Sequence, residues 1–266
     1  MLLLKISTVY LYDEPSVPEI KIDELGEFIK ENFHVKVEIR ENIFSFFEVT
    51  NQNVSYELAS CRVFKTKKPF ERHSPTAEEI QFEEDSLARN SKETNIVMYD
   101  GFELQKVITN LIPENELQID RFHLACTNKL SCTYDFDDYR YHGRAVICSN
   151  PSIISTTGII EAPAKPREYY LSLLTNMTQG LNIDIIKNQF RGTYLEYHDT
   201  KLDNIIKGYA LQALFYYLTG EPFCRSKECR LYNAHWQADL LYSQIHIGKL
   251  CNKHQQVLDL LALNHE

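Results

Sequence analysis

The chain has 266 residues, 44% of them hydrophobic, enough to bury one large core or two modest ones. Its formal net charge of −9 repels phosphate backbones, and the short "FKTKK" at 64–68 is soon followed by acids, so no nucleic-acid partner is expected. No window approaches the roughly 18 apolar residues of a membrane helix, and three leucines before Lys5 are too few for a secretory leader, so the reading is a soluble, cytoplasmic protein with no membrane partner.

Residues 2–12 alternate and are rich in Leu, Ile, Val and Tyr, which predicts a strand. Ile22, Leu25, Ile29 and Phe33 follow at spacings of three and four, an amphipathic helix over 21–33. Alternation resumes over 34–49 as one or two strands, so the start reads as a strand–helix–strand unit. Residues 64–95 read as a polar insertion. Glu78, Glu79, Glu83, Glu84 and Asp85 stand there without a basic residue between 76 and 88, which predicts a solvated helix or arm, with a lid or docking arm as the alternative.

A short strand is expected at 95–99 and a helix at 102–112. The apolar runs 121–127 and 143–149 read as buried strands, separated by a polar, aromatic turn at 134–143. A strand and loop are expected over 151–163. Pro166 and Gly180 bracket a helix with Tyr169, Tyr170, Leu173, Leu174 and Met177 as its core face. Thr200 and Asp203 resemble a capping box for a helix that ends at Gly220 and is apolar nearly all round, as a helix in the middle of a fold would be. Strands early and helices late predict an α/β or α+β fold with a mixed, twisted sheet, in one domain over 1–266.

Seven cysteines is an odd number in a chain of this kind, which points to metal binding or plain burial rather than a disulfide framework. Cys224 and Cys229 flank the charged knuckle "RSKE", and Cys251 and His254 lie three apart, which puts them on one face at a helix start. The 21 residues between the pairs can form one helix, over 234–246, and return to the same place. Three thiolates and an imidazole suit tetrahedral zinc. Four protein ligands fill that shell, whereas a catalytic zinc keeps a position open for water, so one structural zinc per chain is expected, clipping a helical segment over 220–266. His235 is the rival fourth ligand. The competing view is that these cysteines are small buried hydrophobes, against which the charged knuckle argues. Cys61, Cys126, Cys132 and Cys148 read as buried.

The order of buried helix, Gly220, Cys224-x4-Cys229, helical spacer and Cys251-x-x-His254 resembles the archaemetzincins, small zinc peptidases. The likeness is nearest to archaeal proteins described as metallopeptidases, and it implies a metzincin-like fold. In that family the helix carries H-E-x-x-H-x-x-G-x-x-H, and a second, structural zinc is held by C-x4-C and C-x-x-C. Carried over, the histidine positions fall on Ala213, Tyr217 and Phe223, the glutamate on Leu214, and the methionine of the family's turn on Leu231. His254 stands in for the last structural cysteine. The resemblance thus implies that the structural zinc is kept and that the peptidase zinc is absent.

Other polar clusters offer alternatives. Glu196, His198 and Asp199, or Asp135, Asp137, Asp138 and His142, could bind a metal or shuttle protons. Equally, they could be a helix start and a solvated turn. Lys165 and Arg167 beside Ser155, Thr156 and Thr157 could hold an anion, or simply turn a corner. Three functions follow as expectations. The first is a non-catalytic protein whose cleft binds a peptide or protein partner. The others are a hydrolase with a relocated site and a zinc-stabilised interaction module.

Overall fold

A computed structural model describes residues 4–47, 51–89 and 96–263. β1 (Thr8–Tyr12) is buried along nearly its whole length, which explains its continuous apolar character. α1 (Ile22–Phe33) buries Leu25, Ile29 and Phe33, and β2 (Lys36–Arg40) returns parallel to β1. The expected strand–helix–strand unit is therefore present. The second half of the 34–49 alternation is instead a short helix, α2 (Ile43–Phe46), because the Asn42 Oδ1 accepts from the Phe44 N–H and caps a helical turn. The final two residues of that run lie outside the described residues, as do residues 2–3 of the first strand expectation.

α3 (Asn51–Ser60) and α4 (Ala77–Arg89) lead to β3 (Met98–Asp100) and α5 (Gly101–Leu111). Asp100 caps α5 through the N–H groups of Phe102 and Glu103. β4 (Arg121–Thr127), β5 (Leu130–Asp135), β6 (Arg140–Gly143), β7 (Val146–Ile147) and β8 (Ser152–Ser155) complete two sheets. One has the order β2-β1-β4-β8-β7, parallel except for the edge strand β7; the other has the order β3-β5-β6. The fold is mixed α/β, as expected. Two readings are corrected. The 134–143 turn is a hairpin, with β5 antiparallel to β6. The 143–149 strand shrinks to two residues.

Six helical elements follow. α6 (Thr156–Glu161) replaces an expected loop, because the Ser155 Oγ accepts from the Gly158 N–H and starts a helical turn. α7 (Arg167–Thr178) and α8 (Asp184–Gln189) enclose a small aromatic cluster of Tyr169, Tyr194 and Phe190. On α7 only Tyr169 of the expected core face is buried; Tyr170, Leu174 and Met177 are exposed. α9 (Leu202–Thr219) runs through the main core and ends at Gly220, whose φ of 78° lies in the left-handed region. No capping box forms: Asp203 instead accepts from the Lys21 N–H and pairs with Lys207. α10 (Gln237–Leu241) continues as a π turn over 242–247, and α11 (Asn252–Leu263) closes the described chain.

The main core lies between the five-stranded sheet, α1 and α9. Gly208 lets Gln244 of the π turn approach α9. A Cβ there would stand 1.7 Å from the Gln244 Oε1, a group that accepts from Arg230 while the Gln244 Nε2 donates to the Arg230 carbonyl. Gly208→Ala is therefore expected to cost ~1–3 kcal/mol, despite the better helix propensity of alanine. A melting midpoint at or above that of the wild type would contradict this packing.

Residues 64–81 are largely exposed, as their charge predicts, but the following turn of α4 is not. Glu83 on α4 is fully buried. Its Oε1 accepts from Arg62 and from the Tyr99 hydroxyl, and its Oε2 from the Lys129 ammonium at 2.7 Å. This carboxylate ties α4 to the body of the protein, alongside the packing of Leu87 against the core cluster that holds Tyr99 and Leu104. The last six residues of the segment lie outside the described residues.

Candidate metal centre and adjoining cleft

After Gly220 the chain folds into a knuckle. The Cys224 N–H donates to the Leu231 carbonyl at 2.9 Å and the Cys229 N–H to the Ser226 carbonyl at 3.2 Å, which turns both thiols toward one point. Cys251 immediately precedes α11 and His254 sits in its first turn. The four ligand atoms, three Sγ and one imidazole nitrogen, all lie within 4.8 Å of one another. The His254 Nδ1 stands 3.1 Å from the Cys251 Sγ and 3.5 Å from the Cys229 Sγ. Tetrahedral zinc, with Zn–S bonds near 2.3 Å, would hold its sulfurs about 3.8 Å apart, so the donor set fits such an ion.

The surroundings suit thiolate ligands. The Ser226 N–H points to the Cys224 Sγ and the Cys251 N–H to the Cys229 Sγ, each at 3.4 Å. Burial works against ionisation of Cys251, but the N–H groups of His254 and Lys253 and the neighbouring thiols hold it below the usual thiol range. Burial pushes Cys229 up to about 12, with the Cys224 charge adding to it. Three crowded thiols cannot all ionise without a cation among them. Burial also keeps His254 below its ordinary value, in the neutral form that ligates. Cys61, Cys132 and Cys148 are likewise pushed up to about 12 by burial, and Cys126 further; Cys61, Cys126 and Cys132 are buried packing thiols, as expected, whereas Cys148 is only half-buried.

Arg230 anchors the knuckle to α9, a role nothing in the sequence signals. It is buried, donates to the Asn204 Oδ1 at 2.6 Å and to the Asn204 carbonyl, and lies over the Phe28 ring. Burial lowers its pKa to about 10.

Beside the knuckle lies a cavity of about 530 Å³. α9 presents Tyr209, Gln212 and Tyr216 to it; the 220–235 segment adds Pro222, Phe223, Asn233 and His235; β6, β7 and the turn between them supply His142, Arg144 and Ile147. His235, the rival fourth ligand, therefore faces the cavity and not the cysteine cluster. The helix positions singled out by the family pattern do not line it. Ala213 and Leu214 are fully buried in the core, and Tyr217 lies tilted against Phe122 and donates to the Ile119 carbonyl at 2.6 Å. Of the transferred positions only Phe223 reaches the cleft.

The Glu196, His198 and Asp199 group disperses. Glu196 pairs with Arg191, the His198 Nδ1 with Glu19 at 2.9 Å, and Asp199 accepts from the Lys201 N–H. The hydroxyls of Ser155, Thr156 and Thr157 donate inward to carbonyls, and the Lys165 ammonium lies over the Tyr169 and Tyr194 rings, so no anion site forms with Arg167. Asp135, Asp138 and His142 do converge, with ligand atoms within 4.8 Å, while Asp137 donates its N–H to the Asp135 carboxylate and stays outside the group. The His142 Nε2 lies 2.8 Å from Asp138, which also accepts from Arg140; these contacts, His142 first, hold the Asp138 carboxyl below its usual range.

Fold and cluster together define an α/β protein with a four-ligand candidate metal clip beside an open cleft. The chain belongs to the family described as "Probable metallopeptidase family (DUF6775)", whose family model matches residues 5–261. No curated protein and no solved structure matches it. No helix among the described residues is long and apolar enough to cross a membrane.

Proposed function

We propose that this chain is an archaemetzincin-like protein with one structural zinc, held by Cys224, Cys229, Cys251 and His254, and that its cleft binds a peptide or protein partner without cleaving it. One observation carries the reading: the four candidate ligands and the lining of the cleft share no residue. A zinc peptidase needs its metal, with an open position for water, at the substrate. Here the α9 face toward the cleft offers two tyrosines and a glutamine. The seven unpaired thiols suit a reducing compartment, and we place the protein in the cytoplasm.

The test is incubation of zinc-loaded protein with a degenerate fluorogenic peptide mixture. Turnover no greater than the buffer blank is expected. Hydrolysis that chelation abolishes and zinc restores would overturn the reading. A second reading has one observation in its favour: His142 both lines the cleft and joins Asp135 and Asp138 in a group that could hold a metal ion. On that reading hydrolysis would be metal-dependent and lost in His142→Ala.

A further inference from the structure

We propose that the cleft takes the carboxy-terminal end of a peptide, with Arg144 binding its carboxylate and Gln212 accepting one of its main-chain N–H groups. This rests on the reading of the cleft as a peptide-binding site and names the part of the peptide that it recognises.

Arg144 lies between β6 and β7 and is half-buried at the cavity wall. Its Nε donates to the Thr133 Oγ1 at 2.7 Å, a bond that fixes the guanidinium plane. Its two terminal nitrogens meet no carboxylate and no hydrogen-bond acceptor among the described residues. No Asp or Glu is among the lining residues. Asp138, the partner of the lining residue His142, is engaged by His142 and Arg140. A half-buried guanidinium without a counter-ion is uncommon, because desolvation is normally offset by pairing. In a chain of net charge −9, a carboxylate-free cavity around an arginine selects for an anion. The planar fork suits a carboxylate or a phosphate equally well.

Gln212 decides between them. It is 1% exposed, and its Oε1 has no partner. Its orientation is fixed, because the Nε2 donates to the Tyr232 carbonyl at 3.2 Å, and the flipped amide would set oxygen against oxygen. The cavity wall therefore holds a buried, unused acceptor, and leaving it unpaired costs free energy. A phosphate group presents almost only acceptors. A peptide end presents a carboxylate and, beside it, amide N–H donors. Phe102, Ile147 and Phe223 provide apolar wall for its side chains, and the volume lies within the range of about 300–1,000 Å³ of small-ligand clefts.

The experiment uses the full chain and a degenerate hexapeptide mixture made in two forms, one with a free C-terminal carboxylate and one with a C-terminal amide. Retention by the protein is read by ultrafiltration and mass spectrometry. Binding of the free acids about tenfold to a hundredfold tighter than of the amides is expected. The preference should disappear in Arg144→Gln and survive in part in Arg144→Lys. Equal retention of acids and amides would overturn the carboxylate assignment and leave peptide binding standing. Retention of neither form would overturn both. The comparison on unmodified protein needs no variant, so a folding defect in Arg144→Gln cannot obscure it.

Discussion

Cys229→Ser is expected to abolish zinc binding at the proposed clip and, with it, the order of residues 220–263. Cys229 is fully buried at the junction of the knuckle and α11, so the serine hydroxyl would be both a poor zinc ligand and a buried polar group. Structural zinc in small sites contributes roughly 10–16 kcal/mol of apparent binding energy near neutral pH. Losing even half of that, about 5–8 kcal/mol, is comparable to the roughly 5–15 kcal/mol that holds a whole domain folded, and far more than one helical segment keeps by itself. Hydrogen exchange should show α10 and α11 exposed to solvent in the variant while β1, β4 and α1 keep their protection. Chelation of the unmodified protein should produce the same pattern. Acid should favour release too, since the thiolates and imidazole bind protons in competition with the metal. Wild-type protection of α11 in Cys229→Ser would show that packing alone holds the segment.

Glu83→Gln should be the most damaging change outside the metal cluster, at about 3–5 kcal/mol. The substitution is nearly isosteric, so no cavity arises. What it removes is the carboxylate that pairs directly with both the Arg62 guanidinium and the Lys129 ammonium, both nearly buried. Burial alone would raise the Glu83 carboxyl; Lys129 and Arg62 outweigh it and hold it below the usual carboxylate range. A carboxyl depressed in the folded state binds fewer protons there than in the unfolded chain. Its contribution is therefore complete above the ordinary glutamate range and is lost as pH falls through the depressed folded value. The gap between wild type and Glu83→Gln should accordingly narrow on acidification. Glu78→Gln, on the exposed side of α4, should change the midpoint by no more than about 0.5 kcal/mol. Denaturant titration at neutral and acidic pH distinguishes the two, and equal midpoints would show that the buried triad adds nothing.

Much of this was legible in the sequence where a local pattern carries the physics. The Cys224, Cys229, Cys251 and His254 spacing names a soft, four-donor set, and the first strand–helix–strand unit follows from its periodicity. Three failures share a different cause. A helix that is apolar all round has no preferred direction, so the sequence could not tell that Tyr209, Gln212 and Tyr216, rather than Ala213 and Tyr217, face the cleft. Glu83 sits in a run of acids that reads as solvated, and the cations that bury it lie 21 and 46 residues away. His142 belongs to a hairpin that reads as a turn, because four closely spaced aspartate and histidine side chains mask the pairing of β5 with β6, and Arg144, expected in a buried strand, lies in the bend that follows. On α7 the periodicity is sound but its apolar face stays largely exposed: Leu171, Leu174 and Met177 are solvent-facing.

The central claim is one metal, held away from the cleft. Native mass spectrometry of the purified full chain, with elemental analysis of the same sample, counts it directly. One zinc per chain, absent in Cys229→Ser and unaffected by His142→Ala, is the predicted result. Two metals per chain, with one lost in His142→Ala, would put a metal in the cleft and contradict the account.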